Sequence, residues 1–195
     1  MRLLARLRSA SDGAALVEFA MIAPVLVMTI MGIFDMGYNM YTMSILQDTI
    51  QKAARDSTIE GAPGNVATID KAVTDSVHSL MPTAALGFSR KSYTNFSDVS
   101  RPEDYTDLNG DGACDAGEPF EDANGNNRWD ADRGTTGTGS ARDAVLYEVT
   151  VTYPRLFPMA QLIGMPSTVT MSAATVLRNQ PFTVQQITSA TANCS

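Results

Sequence analysis

The sequence predicts an α+β protein. We expect a long N-terminal helix, transmembrane at first and a stalk beyond, packed against a small antiparallel sheet of about three strands with an inserted calcium-binding loop. Three observations lead to this prediction: an apolar run opens the chain, alternating polarity marks its C-terminal half, and an acidic, Asn/Gly-rich stretch lies between them. The 195 residues allow one ordinary domain plus a helical stalk.

The N-terminal segment has the length and charge pattern of a membrane anchor. Three basic residues precede the apolar run: Arg2, Arg6 and Arg8. The run covers 14–34, about 21 residues whose only charge is Glu18, and this length spans a hydrocarbon core. Basic residues before a span keep the N-terminus cytoplasmic, so residues after Asp35 should face outward.

Glu18 indicates that the anchor is processed. A carboxylate inside a membrane helix costs roughly 2.5–3.5 kcal/mol, so it should have a partner. A cut after Gly13 would create one, because Ala14 would then have a free ammonium group near the depth of Glu18. An ordinary signal peptide would instead be cut beyond the apolar run, after small residues, where Asp35 and Met36 stand. The remaining alternative is a plain anchor whose Glu lies near the lipid headgroups.

Gly13 followed by the letters AALVEF resembles the prepilin-peptidase site of type IV pilins, in the form used by tight-adherence (Tad) pilus systems. The continuation to Ser57 resembles the TadE-like minor pseudopilins, and the segments VLYEVTVTYPRLFPM and STVTMSAATVLRNQPF resemble the strands of that family more weakly. The resemblance implies that Gly13 precedes the cut, that Ala14 is the new N-terminus, and that Glu18 with Phe19 serves assembly. It implies a leader at 1–13, a helix at 14–57 and a head at 58–195.

The resemblance also implies where the protein works and with what. The expected location is the bacterial inner membrane, with a single pass and a head that is periplasmic or exported in a pilus. The implied partners are a prepilin peptidase, other pilins or pseudopilins, the Tad inner-membrane assembly platform and the lipid bilayer. The acidic insert, residues 103–133, is not part of this family pattern.

Periodicity predicts the remaining elements. Beyond the membrane, the first helix should bury one face, formed by Leu46, Ile50, Ala53 and Ala54, and end at 60–65. A second helix is predicted at 66–81, and strands are predicted at 86–99, 144–153 and 168–177, followed by a polar tail. The apolar connection at 154–164 is expected to contain a short helix near the membrane.

Composition and motifs exclude two classes of function. The lone histidine, His78, has no nucleophile or base pattern around it, and the sequence has no phosphate loop or paired Cys/His site, so we expect no enzyme. The net charge is −7, and ten of the 21 acidic residues lie between Glu103 and Asp132 beside one base, Arg128. Because no basic stripe could neutralise phosphates, we expect no nucleic acid partner. The local acidity indicates cation binding instead.

The first loop, residues 107–118, matches a twelve-residue EF-hand loop at every ligand position. Its glycine at position 6, Gly112, permits the sharp turn. The expected oxygen ligands are the side chains of Asp107, Asn109, Asp111, Asp115 and Glu118 and the carbonyl of Ala113. The sequence therefore predicts bound Ca²⁺, and the alternative is a solvated acidic loop.

The second loop, residues 122–133, repeats this pattern 15 residues later without a terminal acid. Its expected ligands are the side chains of Asp122, Asn124, Asn126 and Asp130 and the carbonyl of Arg128. Position 12 is Arg133, so this site is either weaker or completed by Glu118, Glu121 or Asp132. Pro119 and the short gap between the loops leave no room for an exiting helix, so a structural role is expected.

Two cysteines, Cys114 and Cys194, lack metal-ligand spacing. An extracytoplasmic head permits a disulfide between them but does not require one. Two functions fit the sequence as a whole: a minor pseudopilin that helps assemble a tight-adherence pilus, or a membrane-anchored calcium-dependent adhesin or binding module outside any filament. Only the first requires the cut after Gly13.

Overall fold

The computed structural model describes residues 12–57, 66–157, 161, 164–179 and 189–195. Several expectations lie outside these residues: most of the leader, the end of the first helix at 60–65, and the part of the predicted short helix at 158–160 and 162–163. The described elements are α1 (Asp12–Ser57), α2 (Val66–His78), β1 (Ala85–Tyr93), β2 (Pro119–Asp122), β3 (Thr135–Thr136), β4 (Ala144–Pro154), β5 (Thr168–Arg178) and β6 (Ala190–Asn193).

The strands form two antiparallel groups. The larger sheet has the order β3-β1-β4-β5, and β2 pairs with β6 in a separate ribbon. The chain divides into two compact units, residues 1–42 with 154–169, and residues 43–153 with 170–195. The predicted class, a long apolar helix with a small antiparallel sheet, is confirmed.

In the first unit, the apolar run of α1 is exposed. Only Pro24 interrupts its helix-compatible sequence, and a membrane helix tolerates such a residue. No residue of its most apolar stretch is buried within the protein, and in the described residues this is the one helix long and apolar enough to cross a membrane. Large exposed side chains such as Leu16, Ile22 and Phe34 would be covered by lipid.

The first unit also contains the start and end of the β4–β5 connection. The Arg155 guanidinium forms an ion pair with the Asp35 carboxylate of α1, and both side chains are largely buried. The Arg155 backbone N–H donates to the Ser167 carbonyl at 2.9 Å.

The second unit holds the hydrophobic core. Every residue predicted for the buried face of α1 is buried, and α2 buries Ile69, Val73 and Val77. Strand β4 alternates as predicted, burying Val145, Tyr147, Val149, Val151 and Tyr153. Burying a Val, Leu or Ile side chain contributes about 1.5–3 kcal/mol, so these buried side chains stabilise the second unit.

A polar cluster fastens α2 to the sheet. The Arg90 guanidinium on β1 pairs with the Asp70 carboxylate on α2 and lies 4.3 Å from the centre of the Tyr147 ring on β4. The Tyr147 hydroxyl donates to Asp70 Oδ1 at 3.0 Å. Burial, and then the charge of Asp70, raise the pKa of Tyr147, so this hydroxyl stays protonated and remains a donor.

Four sequence predictions about the elements are wrong in detail. The strand predicted at 86–99 ends at Tyr93, because a 3₁₀ turn at Phe96–Asp98 follows. The second helix, predicted to end at residue 81, ends at His78, and the His78 Nε2 atom lies 2.9 Å from the Ala84 carbonyl oxygen. The main sheet has a fourth short strand, β3, and the polar tail contains β6. These two short strands have little alternation, so only long-range pairing reveals them.

Candidate functional site

The residues predicted for processing and assembly lie near the start of α1. Gly13, Ala14, Glu18 and Phe19 are all helical and exposed. Phe19 exposes 63% of its surface, which in a membrane helix is contact area for lipid or another helix. Glu18 is the only charge in the apolar run, so it is the one group there whose burial in lipid requires a partner.

The first loop is organised around its own carboxylates. Asp107 accepts hydrogen bonds from the backbone N–H groups of Gly110 (2.6 Å) and Gly112 (2.9 Å). Glu118 closes the loop: its Oε1 accepts from Leu108 N–H at 2.7 Å and its Oε2 from Asp115 N–H at 3.0 Å. Glu118 is only 3% exposed, and backbone hydrogen bonds hold both of its carboxylate oxygens in place.

The second loop repeats this arrangement around Asp122. Its Oδ1 accepts from Gly125 N–H at 2.7 Å, and its Oδ2 accepts from Asn127 N–H at 2.8 Å. Asn127 stands where the first loop has Gly112, and both adopt positive φ, 59° and 81°. Asn tolerates this left-handed conformation, so the missing glycine does not change the turn.

Glu103 takes the place that the sequence analysis left open in the second loop. Its Oε1 accepts from Ala123 N–H at 2.8 Å and its Oε2 from Asp130 N–H at 3.0 Å. These are loop positions 2 and 9, the same two positions that Glu118 binds in the first loop. Glu103 is 1% exposed, so a buried carboxylate from upstream of both loops completes the second one.

The three acids that the sequence offers for the second loop bind other groups in the structure. Glu118 serves the first loop. Asp132 instead pairs with Lys91 Nζ at 2.6 Å and accepts from the Tyr93 hydroxyl at 2.9 Å. Glu121 lies 3.7 Å from Arg133, whose guanidinium also binds Asp104 at 2.9 Å.

The repeat therefore begins four residues earlier than the loop pattern. Glu103, Tyr105 and Asp107 correspond, at a spacing of 15, to Glu118, Phe120 and Asp122. Tyr105 and Phe120 face each other in an antiparallel bridge. Each repeat supplies the acid that completes the loop of the other repeat, an exchange that a search within each twelve-residue window could not detect. The 15-residue spacing of the two glutamates is the sequence signal that would have found it.

The remaining predicted ligands line both loops. Asn109 and Asp111 use Oδ1 to accept from the N–H groups of Asp111 and Ala113, each at 2.9 Å. In the second loop, Asn124 accepts from Asn126 N–H at 3.1 Å, and Asn126 accepts from Arg128 N–H at 2.7 Å. The backbone frames of the two loops therefore correspond position by position.

The donor types fit Ca²⁺, although the side chains are not closed around an ion. Among the described residues, no three acidic, His or Cys side chains converge closely enough to hold a metal. Instead, Asn109 Nδ2 donates to Asp111 at 3.0 Å and Asp115 at 3.2 Å, and Asn126 Nδ2 donates to Asp130 at 2.6 Å. These amide groups compensate carboxylates that a cation would otherwise bind.

The charges of the first loop oppose one another. A hydrogen bond with Asp111 raises the pKa of Asp115, whereas the Ala113 N–H lowers the pKa of Asp111. A divalent cation would relieve the repulsion between these two neighbouring carboxylates.

The insert is tied to the C-terminus. Cys114 and Cys194 form a disulfide across 80 residues, the pairing that the sequence left open. Beside it, Cys194 N–H donates to the Glu118 carbonyl at 2.8 Å, and Gly117 N–H donates to the Cys194 carbonyl at 3.0 Å. On the second loop, Trp129 Nε1–H donates to the Glu103 carbonyl at 2.9 Å. Each loop therefore has a further contact at position 8.

Comparison with known proteins shows a family match. Residues 13–55 match the family model described as TadE-like protein. No curated protein and no solved structure matches the chain. The matched residues include Gly13, Glu18, Phe19 and the buried face of α1, whereas the acidic insert lies outside them. Residues 13–55 therefore form a TadE-like segment, as the sequence resemblance predicted.

Proposed function

We propose that this protein is a minor pseudopilin, a structural subunit in the assembly of a tight-adherence type IV pilus. The TadE-like match of residues 13–55 supports this proposal, because the TadE-like family is associated with Tad pilus systems and is typically structural. In this proposal α1 crosses the bacterial inner membrane once, with the N-terminus cytoplasmic and the rest of the chain periplasmic or exported. The partners are a prepilin peptidase, other pilins or pseudopilins and the Tad assembly platform.

Glu18 is the observation that carries the proposal. It is the single charge in the apolar run 14–34 and lies five residues after Gly13, among exposed apolar side chains. Removal of residues 1–13 would give Ala14 an ammonium group one helical turn away, and the two charges would compensate each other in the membrane. A plain anchor has no use for such a carboxylate.

N-terminal processing tests the proposal directly. We would express the full chain in Tad-competent cells with and without the prepilin peptidase and determine its intact mass and N-terminal sequence. The expected product begins at Ala14, and Gly13→Leu blocks the cut, whereas the control Gly37→Leu does not. A product that retains Met1, or one cut after Gly37, would contradict the pseudopilin role and favour a membrane-anchored adhesin or binding module.

We further propose that the acidic insert binds two Ca²⁺ ions, one in each loop. The reciprocal completion of the loops by Glu118 and Glu103 supports this, because both loops then have a buried acid at the position that the EF-hand pattern reserves for a bidentate ligand. The other ligands would be the predicted oxygens of each loop, including the carbonyls of Ala113 and Arg128.

The ions would stabilise the head and would not act as a switch. Pro119 begins β2 immediately after the first loop, so there is no exiting helix to move when calcium binds. Extracellular modules of this kind bind calcium at about 10⁻⁴–10⁻³ M. At a hundredfold excess over Kd, binding would add about 2.7 kcal/mol to the stability of the folded form.

A further inference from the structure

The two described ends of the β4–β5 connection, residues 155–157 and 164–167, are held at one level of α1 through Arg155. Arg155 forms an ion pair with Asp35, and the exposed fractions of the two side chains are 12% and 15%. Arg155 also ties the two ends of the connection together, because its N–H donates to the Ser167 carbonyl at 2.9 Å and its Nε–H to the Pro166 carbonyl at 3.0 Å. The connection therefore cannot move along α1 without breaking a largely buried ion pair.

Asp35 marks the outer boundary of the membrane. It is the first charged residue after Glu18 and directly follows the apolar run 14–34. At 1.5 Å per residue, Asp35 lies about 32 Å along the helix from Ala14, which is close to the thickness of a hydrocarbon core. A spanning α1 therefore places Asp35, and with it Arg155, at the level of the lipid headgroups.

The connection presents apolar side chains at this level. Leu156 and Met165 are 55% and 45% exposed, and among the described residues outside α1 the other large exposed hydrophobic side chains are Phe96 and Leu108. The sequence from Leu156 to Leu177 contains no charged residue and no histidine. The one charge that begins the connection, Arg155, is already paired with Asp35.

Apolar exposure on α1 continues past Asp35 in the same unit. Met36, Met40 and Tyr41 expose 65%, 66% and 56% of their surfaces. Exposed apolar side chains therefore lie on α1 beside the level at which Asp35 binds Arg155. Amphipathic and apolar groups at this depth favour the interface between headgroups and acyl chains.

We propose that the described ends of the β4–β5 connection, residues 155–157 and 164–167, rest on the outer leaflet as a second lipid contact, with Leu156 and Met165 inserted at the boundary between headgroups and acyl chains. This inference rests on the proposed membrane insertion of α1. Its partner is the lipid bilayer, because Arg155 fixes these ends at the level of Asp35, where the apolar run of α1 stops.

Quenching by brominated lipid tests this proposal on the full chain in phosphatidylcholine liposomes. Leu156→Trp and Met165→Trp report on the connection, Val25→Trp reports on the middle of the span, and Phe96→Trp is an exposed apolar control in the other unit. Native Trp129 supplies the background, which is measured in the unsubstituted chain and subtracted. We expect brominated acyl chains to reduce the added emission at 156 and 165 at least twofold and to leave the emission at 96 unchanged.

The controls separate the failure of this inference from the failure of the anchor. Quenching at Val25→Trp without quenching at Leu156→Trp and Met165→Trp would overturn the lipid contact and leave the anchor intact. No quenching at any of these positions would show that α1 does not span the bilayer. If the added Trp at 156 and 165 is shielded only at a high protein-to-lipid ratio and brominated lipid does not quench it, a second copy of the chain covers this surface, and the lipid contact is wrong.

Discussion

Glu103 and Glu118 hold equivalent places in two loops, although Glu103 lies upstream of both and Glu118 ends the first. Each carboxylate binds the N–H groups at positions 2 and 9 of its loop, at 2.7–3.0 Å. The backbone repeats the relationship, because Glu103 N–H donates to the Asp130 carbonyl and Glu118 N–H donates to the Asp115 carbonyl, both at 3.0 Å. Each half of the repeat is incomplete without the other.

This exchange predicts two calcium sites of similar strength. Glu103→Gln removes one charge and one ligand oxygen from the second loop, and Glu118→Gln does the same to the first. We expect isothermal titration of the full chain in detergent to show two bound calcium ions for the unsubstituted protein. Either variant should keep one tight site and lose at least tenfold in calcium affinity at the other.

Glu121→Gln and Asp132→Asn are the matched controls, because sequence reading alone favours these acids for the second loop. They should leave both sites intact, since the structure engages Glu121 with Arg133 and Asp132 with Lys91 and Tyr93. Loss of the second site in either control, with Glu103→Gln unaffected, would disprove the exchange. If titration up to several millimolar calcium gives no heat, the insert is only a solvated acidic loop.

Replacing Glu18 should separate membrane insertion from assembly. Glu18→Ala removes a charge that costs roughly 2.5–3.5 kcal/mol in the membrane, so the protein should accumulate there at normal or higher levels. We expect pili to be absent or greatly reduced by electron microscopy of the cells. Ile30→Ala, an exposed position in the same helix, is the control and should leave pilus number unchanged. Normal pili in Glu18→Ala cells would rule out the assembly role.

The disulfide should stabilise the insert and the end of the chain together. It closes a span of 80 residues, and a disulfide typically contributes about 2–4 kcal/mol to stability. Cys114→Ser, Cys194→Ser and the double variant should therefore lower the melting temperature by the same amount. Reductant should lower it in the native chain but not in the variants. A different loss in the two single variants would point to a role for one thiol outside the bridge.

The Asp70 cluster should contribute more to stability than an exposed ion pair on the same helix. Asp70→Asn removes the charge that pairs with the largely buried Arg90 and weakens the hydrogen bond from the Tyr147 hydroxyl. We expect the free energy of unfolding to fall by about 2–3 kcal/mol. Asp75→Asn breaks only the Lys71–Asp75 pair, whose side chains are 73% and 62% exposed, and should cost less than about 0.5 kcal/mol. Chemical denaturation of the full chain in detergent measures both, and equal losses would contradict this ranking.

The sequence by itself determined the elements that rest on local periodicity. The apolar run, the buried face of α1 at Leu46 and Ile50, and the alternation of β4 follow from side chains whose spacing matches one helix or strand face, so the pattern persists in the fold. The tight turns at Asp107 and Asp122 follow from the sequence for the same reason, since a loop motif is local.

Only the tertiary structure decided the relationships that join distant residues. The pairing of β6 with β2, the Asp35–Arg155 ion pair and the role of Glu103 bring together groups that no local pattern relates. For Glu103 the reason is geometric. The second loop requires an acid at a place that its own residue 133 does not supply, and the antiparallel approach of Tyr105 to Phe120 brings one from the other repeat.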